Sequence, residues 1–335
     1  FGLRNTIIFI RMPAKKSPEF ETMHIPVLTK EVLAALHPRE NGLYLDGTVG
    51  MGGHAKAILD AAPDSKLCAL DRDSFALEFA KNNLAQYGER VSFFNMEYSQ
   101  FEEALQQLGW AKVDGAFLDL GVSSYQLDTA QRGFSFRNDG PLDMRMAPER
   151  QHKSAWHFVN RSSYDELKSC ISILGEEPMA GRIAREIVSC RQKSPIDGTL
   201  QLAEIVARAY PASWRRKSRR HPATRTFQAI RMAVNEELKE LELFLGKIVD
   251  WLNQGGRLAI ITFHSLEDRM VKHAMRRWAQ SCICPASAPI CTCNRKPGVR
   301  IIYKKPVEAS PDELMSNARA SSAKLRAIEK LGPEQ

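Results

Sequence analysis

The feature that most restricts the fold is an alternation of short apolar segments with amphipathic ones before residue 121. The apolar segments, at residues 43–45, 66–70, 91–94 and 113–120, have the length of strands. The segments between them show helical spacing. Because strands separated by helices pair in parallel, the alternation predicts a parallel sheet with helices on both faces.

The alternation is interrupted after Gly121. Residues 125–150 contain glycines and prolines typical of a loop, and residues 154–210 show several helical segments and no convincing strand. We therefore predict a helical insertion at residues 131–221. It interrupts one α/β domain made of residues 23–130 and 222–330.

Beyond the insertion, residues 226–252 have the spacing of one long amphipathic helix. Further strands are predicted at residues 258–263, 299–303 and 324–328. Residues 1–22 do not share these patterns, and we expect them to form a disordered N-terminal extension outside the fold.

The chain has 335 residues, and its 47 lysines and arginines against 39 acids give a net charge of +8. A basic surplus favours an anionic partner, most often nucleic acid. No stretch approaches the roughly 18 consecutive apolar residues of a membrane span. Seven cysteines without a secretory signal are typical of a reducing compartment. We expect a cytoplasmic protein, a monomer or a homodimer, with no membrane partner.

A glycine-rich loop, DGTVGMGGH at residues 46–54, follows the first predicted strand. Asp71 follows the second, at the position that faces a ribose in doubly wound folds. Together they indicate a cofactor that contains adenosine. The glycines do not match the G-x-G-x-x-G spacing of NAD sites, and Asp46 suits a cationic ligand better than a pyrophosphate. We therefore expect S-adenosylmethionine rather than NAD.

Asp119 ends the fourth predicted strand, and ligands of open α/β sheets bind outside the carboxyl ends of the strands. Methyl transfer is an in-line displacement, for which an enzyme mainly aligns the nucleophile. An exocyclic amine is a poor nucleophile, and an acceptor such as Asp119 or a backbone carbonyl of residues 120–124 activates it and takes its proton. The alternative for Asp119 is an N-cap or loop role. No metal-ligand cluster is expected near the strand ends.

Longer motifs resemble those of a known family. They are HIPVL at 24–28, the loop at 46–54, ALDRD at 69–73, LDLGVSS at 118–124 followed by QLD at 126–128, RGFSF at 132–136, GPLDMRM at 140–146, HPATRTFQAIR at 221–231, FHSLEDR at 263–269 and NARASSAKLR at 317–326. In this order, they resemble the bacterial 16S ribosomal RNA cytidine-N4 methyltransferase family (RsmH/MraW) over about residues 23–330.

The resemblance implies a class I (Rossmann-like) methyltransferase fold, with a mixed, mostly parallel seven-stranded sheet and an all-helical insertion that recognises RNA. It implies an S-adenosylmethionine-dependent enzyme that methylates N4 of a cytidine in the decoding centre (P site) of 16S rRNA in the small ribosomal subunit. The cofactor contacts it implies are Gly52, Gly53, His54, Asp71, Tyr98, Asp119 and Gln126, and Asp119 is also the implied catalytic residue. Tyr125 and Leu174 depart from the family's common proline and tyrosine.

Residues 215–231 hold seven lysines and arginines and no acid, which favours RNA contact over a solvated charged face. His221 and Phe227 are candidate rings for stacking on bases. Residues 132–146 are a candidate cover over a cytidine turned into the pocket. Two other classes stay open: an RNA-binding assembly factor without the chemistry, and a methyltransferase acting on DNA or a small molecule.

Four cysteines lie close together late in the chain: Cys282, Cys284, Cys291 and Cys293. Four sulfurs suffice for zinc, but the Cys-x-Cys spacing is a poor match to the Cys-x₂₋₄-Cys of structural zinc sites. Zinc and free thiols both stay open, and we assign no metal ligand.

Overall fold

The computed structural model describes residues 26–211, 213–214, 221–284, 290–293 and 295–332, apart from the side chain of residue 318. The predicted extension at residues 1–22 and the part of the basic window at residues 215–220 lie outside the described residues.

Seven strands form one sheet in the order β3-β2-β1-β4-β5-β7-β6. Their bounds are β1 Leu43–Asp46, β2 Lys66–Asp71, β3 Val91–Asn95, β4 Val113–Asp119, β5 Leu252–Thr262, β6 Val299–Ile301 and β7 Lys324–Lys330. Neighbours are parallel from β3 through β5, whereas β7 is antiparallel to both β5 and β6. The predicted mixed, mostly parallel seven-stranded sheet of a Rossmann-like fold is confirmed.

Helices pack on both faces of this sheet. The described helices are α1 Thr29–Leu36, α2 Gly53–Ala61, α3 Ser74–Asn83, α4 Phe101–Gln107, α5 Ser124–Asp128, α6 Ala155–Arg161, α7 Tyr164–Ile173, α8 Ala180–Arg191, α9 Thr199–Ala209, α10 Thr224–Val234, α11 Glu237–Lys247, α12 Ser265–Trp278 and α13 Pro311–Ser316. Successive side chains of a strand point to opposite faces, so Phe117 belongs to the cluster under α1, α2 and α3, and Leu118 to the cluster under α4, α11 and α12. Both faces of β4 are therefore buried, as its continuous apolar sequence predicts.

Helices α6 to α9 surround a third hydrophobic cluster. It also takes in Phe134 and Met144 from the loop before α6, and Phe227 and Ile230 from α10. None of the buried residues described in this cluster belongs to a strand. A core of its own supports the proposed insertion at residues 131–221, although the packing continues into α10.

The predicted single helix over residues 226–252 is wrong, because it breaks at Asn235. This residue is fully buried. Its Nδ2 donates to the carbonyl oxygen of Met144 at 2.7 Å, and its Oδ1 accepts from the N–H of Met146 at 2.8 Å. Glu236 has a φ of +50°. The helix is interrupted here because Asn235 forms hydrogen bonds with the loop instead. Hydrophobic spacing alone does not reveal such a break, since apolar residues continue at helical spacing on both sides.

Strand β5 begins at Leu252, earlier than the predicted residue 258. The early part pairs irregularly, with Val113 opposite Leu252 but Gly115 opposite Arg257. Gly255 has a φ of +75°, a conformation that glycine adopts without strain. A bulge of this kind breaks the alternation of inward and outward side chains, so the early part of the strand does not show the pattern expected of a strand.

None of the described helices combines the length and the apolar character that crossing a bilayer demands.

Candidate active site

A cavity of about 630 Å³ opens at the carboxyl ends of the parallel strands. Asp71 ends β2 and Asp119 ends β4, and both line the cavity, while Asp46 at the end of β1 is buried beside them. Strand β1 lies between β2 and β4, so the strand order reverses at this point. Crevices at such switch points are the usual ligand sites of open α/β sheets.

Glycines let the loop after β1 pass close to its neighbours. A Cβ atom on Gly47 would lie 2.5 Å from Cδ2 of Leu118 and 2.9 Å from Cβ of Tyr98. Gly52 has a φ of +89° and precedes the first residue of α2. Of the two predicted glycine contacts, Gly53 lines the cavity, whereas Gly52 is not among the lining residues and serves to turn the chain.

Asp71 is held in one orientation by two main-chain donors. The N–H of Gly50 donates to its Oδ2 and the N–H of Asp73 to its Oδ1, both at 2.8 Å. Burial nevertheless raises the pKa of Asp71 to about 6. Each carboxylate oxygen keeps further acceptor capacity. Asp71 thus has a fixed carboxylate at the cavity, and its contact with a ribose stays a prediction.

His54 lies between the start of the described chain and Asp119. Its Nε2 donates to the carbonyl oxygen of Val27 at 2.8 Å, which places a proton on Nε2 because a carbonyl oxygen only accepts. Its Nδ1 is 3.8 Å from Oδ2 of Asp119, beyond hydrogen-bond distance. The ring also packs on Phe117, with centroids 4.6 Å apart. His54 thus lines the cavity while bracing its wall.

Asp119 has the most perturbed carboxyl group of the three. Its Oδ1 has no hydrogen-bond partner among the described residues, although its side chain is only 24% exposed. Burial raises the pKa of Asp119 to about 8, and the nearby carboxylates of Asp46 and Glu267 add to the effect. Burial also raises the pKa of Asp46 to about 7. This end of the sheet therefore favours either protons or a cationic ligand.

Tyr98 forms one side of the cavity. Its hydroxyl group donates to the carbonyl oxygen of Glu237 at 3.3 Å, and its ring meets Phe244 edge-on at 5.7 Å. A Cβ atom on Gly47 would lie 2.9 Å from Cβ of Tyr98, so the glycine loop runs directly beside this side chain.

Gln126 lines the cavity, but its side-chain amide forms hydrogen bonds within the protein. Its Nε2 donates to Oδ2 of Asp73 at 2.8 Å, and its Oε1 accepts from the N–H of Ser123 at 3.1 Å. Arg132 pairs with the same Asp73 oxygen at 2.9 Å. Asp73 and Arg132 therefore support Gln126 from behind the cavity lining, a role that the sequence did not reveal although both residues stand in the quoted motifs.

The wall opposite the strands comes from the loop before α6 and from α10. Phe136 and Phe227 line it and meet edge-on at 4.8 Å, and the exposed His221 lies 4.8 Å from Phe136. Phe227 is 4% exposed, so its ring faces the cavity and the core rather than the surface. The predicted cover at residues 132–146 and the end of the basic window do lie beside the site.

Arg231 belongs to the basic window of residues 215–231, but it is paired within the protein rather than exposed for RNA. Its Nε and Nη2 donate to the two carboxylate oxygens of Glu237, each at 2.8 Å, and its side chain is 14% exposed. A guanidinium engaged in this way does not face an RNA phosphate. Arg225 is exposed, and its Nη1 donates to the carbonyl oxygen of Glu176 at 3.1 Å.

A second acidic cluster was also missed. Ligand atoms of Glu237, His264 and Glu267 lie within 4.8 Å of one another, a grouping that the sequence did not reveal, and the absence of a metal site near the strand ends stays a prediction. Burial alone would raise the pKa of Glu267, but the contact with His264 and the charge of Arg231 hold it below the usual value. Arg231 supplies one positive charge beside the two carboxylates and pairs directly with Glu237, so the protein itself offsets part of the negative charge of this cluster.

Comparison with known proteins decides the family. A model of the MraW methylase family matches residues 21–331. The chain belongs to this family. A relative named ribosomal RNA small subunit methyltransferase H, from Desulfovibrio desulfuricans, is 63% identical over 313 residues, which cover 93% of this chain and 96% of that protein. One of the same name from Nitratidesulfovibrio vulgaris is 59% identical over 315 residues, with coverages of 94% and 87%.

Solved structures resemble this member of the MraW methylase family only distantly. An rRNA methylase from Streptococcus thermophilus is 11% identical, with a TM-score of 0.39 over 91% of this chain and 94% of that one.

The cofactor of this methylase is S-adenosylmethionine, and the residues present fit it. Oδ1 of Asp119 and Oδ2 of Asp46 are buried without hydrogen-bond partners among the described residues. A sulfonium and an ammonium group would offset the cost of ionising these carboxylates. Asp71 offers acceptors for ribose hydroxyls, and the cavity of about 630 Å³ has the size of a cofactor site.

Proposed function

We propose that this methylase transfers a methyl group from S-adenosylmethionine to N4 of a cytidine in the decoding centre (P site) of 16S rRNA. The observation that carries the proposal is the environment of Asp119. It offers an acceptor atom without a hydrogen-bond partner among the described residues, at a strand end, in a cavity that Asp71 also lines. Such an acceptor is what an exocyclic amine needs in order to react.

The residues predicted to contact the cofactor take different parts in the proposal. Asp71 accepts hydrogen bonds from the ribose hydroxyls, and Tyr98 lies against the cofactor. Gly53 and His54 form the loop wall, and Asp119 faces the cationic end. For the other two predicted contacts, we propose positioning roles: Gly52 turns the loop, and Gln126 holds the segment after β4 through Asp73.

Asp119 is the proposed catalytic residue. When bound, S-adenosylmethionine supplies an electrophilic methyl group. Oδ1 of Asp119 accepts a hydrogen bond from the N4 amine, which leaves the nitrogen lone pair more available for attack. Once N4 has taken the methyl group, the same ionised carboxylate would accept the proton that the amine loses. With a pKa of about 8, the free carboxyl group is mostly protonated at neutral pH, so Asp119 would act as the acceptor in its ionised form, which a bound cationic cofactor favours.

The outer wall suits a single unpaired base. A cytidine buried in folded RNA has to turn out of its stack to reach Asp119. Phe136 and Phe227 offer aromatic surfaces for stacking in the cavity. Arg137 is exposed at the same wall and makes no ion pair within the described ranges, so it is a candidate phosphate contact. We propose that the segment at residues 131–221 recognises RNA.

The names of the relatives support the small ribosomal subunit as the partner. Two relatives at 63% and 59% identity carry the name of a small subunit rRNA methyltransferase. We propose that this chain has the same substrate class and acts in the cytoplasm, where ribosomes are assembled.

The test is a methylation assay with site mapping. Small subunits from a strain that lacks the gene are incubated with the protein and methyl-labelled S-adenosylmethionine, and the rRNA is digested and analysed by mass spectrometry. We expect label on N4 of one decoding-centre cytidine. Asp119→Asn should lower the rate by about 10²-fold or more, the usual contribution of a proton acceptor. Asp312→Asn, on the exposed α13, is the matched control and should be unchanged.

Two results would contradict the proposal. Label on another atom or another nucleotide would overturn the N4 assignment while leaving the family intact. Tight binding to subunits without methylation, unaffected by Asp119→Asn or by removal of the cofactor, would instead support an assembly factor.

A further inference from the structure

Four cysteine side chains converge between α12 and β6, away from the active site. The Sγ atom of Cys282 lies 3.4 Å from that of Cys291 and 3.9 Å from that of Cys293, and the Sγ atoms of Cys291 and Cys293 are 3.6 Å apart. With Cys284 included, all four sulfurs lie within 4.8 Å of one another. Two Cys-x-Cys pairs, nine residues apart, therefore meet at one point.

The sulfur separations match a metal centre better than a disulfide. Zinc bound tetrahedrally by thiolates at about 2.3 Å requires sulfurs about 3.8 Å apart. The three shortest separations, 3.4, 3.6 and 3.9 Å, lie close to this value. A disulfide requires about 2.05 Å. Thiolates of an iron–sulfur cluster bind different iron atoms and stand farther apart.

Hydrophobic packing does not explain why the sulfurs meet. None of the four cysteines belongs to the three hydrophobic clusters of the described chain. The neighbouring apolar side chains point outward, since Ile283 is 57% exposed and Ile290 is 74% exposed. Ordering four side chains in an exposed segment costs conformational entropy that some interaction has to offset.

The backbone around the cluster is arranged for thiolates. The N–H of Cys284 donates to Sγ of Cys282 at 3.4 Å, and the N–H of Ile283 donates to Sγ of Cys293 at 3.5 Å. Hydrogen bonds of this kind stabilise negative charge on a sulfur ligand. The segment is also closed at its base, because the N–H of Gly298 donates to the carbonyl oxygen of Trp278 at 3.0 Å.

We propose that Cys282, Cys284, Cys291 and Cys293 form a structural site for one zinc ion. Binding exchanges four S–H bonds for four S–Zn bonds and releases four protons, with no change of oxidation state. All four positions of the tetrahedron are filled by protein ligands, so the site has no open position for substrate or water. Its role is to hold residues 282–284 against residues 291–293, where no hydrophobic cluster of the described chain does so, independently of methyl transfer.

The test uses the full chain, purified under reducing conditions. Metal content is measured by mass spectrometry, and cobalt(II) is titrated into the metal-free protein. We expect about one zinc per chain, and cobalt absorption bands of a tetrahedral tetrathiolate that disappear when zinc is added. The double variant Cys282→Ser/Cys291→Ser should retain at least tenfold less metal. Cys190→Ser removes a thiol outside the cluster and should bind metal normally.

The outcomes are separable from those of the methylation assay. Because the cluster lies outside the three hydrophobic clusters, the double variant is expected to keep the circular dichroism spectrum of the parent chain. Should it fail to fold, the cobalt spectrum of the parent chain still decides the question. Disulfides in the reduced preparation, four freely reactive thiols in excess zinc, or the spectrum of bound iron would each overturn the proposal.

Discussion

The raised pKa of Asp119 makes cofactor binding depend on pH in a way that one substitution isolates. In the free protein this carboxyl group has a pKa of about 8, so it is mostly protonated at neutral pH. A cationic ligand binds the ionised form better. The affinity for S-adenosylmethionine should therefore rise with pH, and Asp119→Asn should remove this part of the dependence.

The magnitude follows from the fraction of ionised Asp119. With a pKa of about 8, about 1% of the group is ionised at pH 6.0 and about a quarter at pH 7.5. If the bound form is ionised throughout, the dissociation constant falls about 25-fold between these two values. The substitution is conservative, because no hydrogen bond to the Asp119 side chain is present in the described chain.

Isothermal titration calorimetry at pH 6.0 and 7.5 measures the effect. The quantity to compare is the ratio of dissociation constants at the two pH values, in the parent chain and in the Asp119→Asn chain. Ionisation of the ligand contributes equally to both ratios and cancels in their quotient, which reports Asp119 together with its coupling to the neighbouring Asp46. Ratios that agree within about twofold would show that the ionisation of Asp119 is not coupled to cofactor binding.

Three further predictions concern stability. Gly47→Ala should lower the free energy of unfolding in urea by about 1–3 kcal/mol and abolish cofactor binding, because the new Cβ atom would lie 2.5 Å from Leu118. Gly246→Ala is the control: its position on α11 is open, so it should raise the free energy of unfolding by up to about 1 kcal/mol. Asp73→Asn should cost about 3 kcal/mol because it leaves the Arg132 guanidinium without its partner, and an unchanged urea midpoint would refute this. Asp119→Asn should stabilise the cofactor-free chain by about 2 kcal/mol or more at pH 7.5 in urea unfolding. Because folding raises the pKa of Asp119 from 3.8 to about 8, ionisation of this group destabilises the folded chain as the pH rises through that range. The stabilisation by the substitution should therefore vanish near pH 4.

Local patterns were enough to place the acids of the site. Asp71 and Asp119 directly follow apolar segments of strand length, and the alternation with helices forces those strands to be parallel. Carboxyl ends of parallel strands meet at one edge, so the two acids had to lie near each other. The glycine loop was recognisable for the same reason, because it stands between a strand and a helix.

Contacts between distant segments could not be anticipated in this way. The helix break at Asn235 depends on hydrogen bonds to Met144 and Met146, which no periodicity encodes. No periodicity encodes the Asp73–Gln126 hydrogen bond or the Arg231–Glu237 ion pair either. Because of that ion pair, Arg231 is not available to RNA as the basic window had suggested. The spacing of the four late cysteines left zinc undecided, and only the positions of their sulfurs in space favoured it.

The pairing of β4 with β5 also bears on how the chain folds. Asp119 pairs with Ile261 at the centre of the sheet, and the whole helical segment lies between them in sequence. Closing so long a loop is entropically expensive until that segment has become compact. Because α6 to α9 have their own buried cluster, they can collapse first and bring the two strands together. We then expect the edge of the sheet that carries Asp119 to assemble last, and destabilising the helical segment should slow its formation even where no side chain of the cavity is changed.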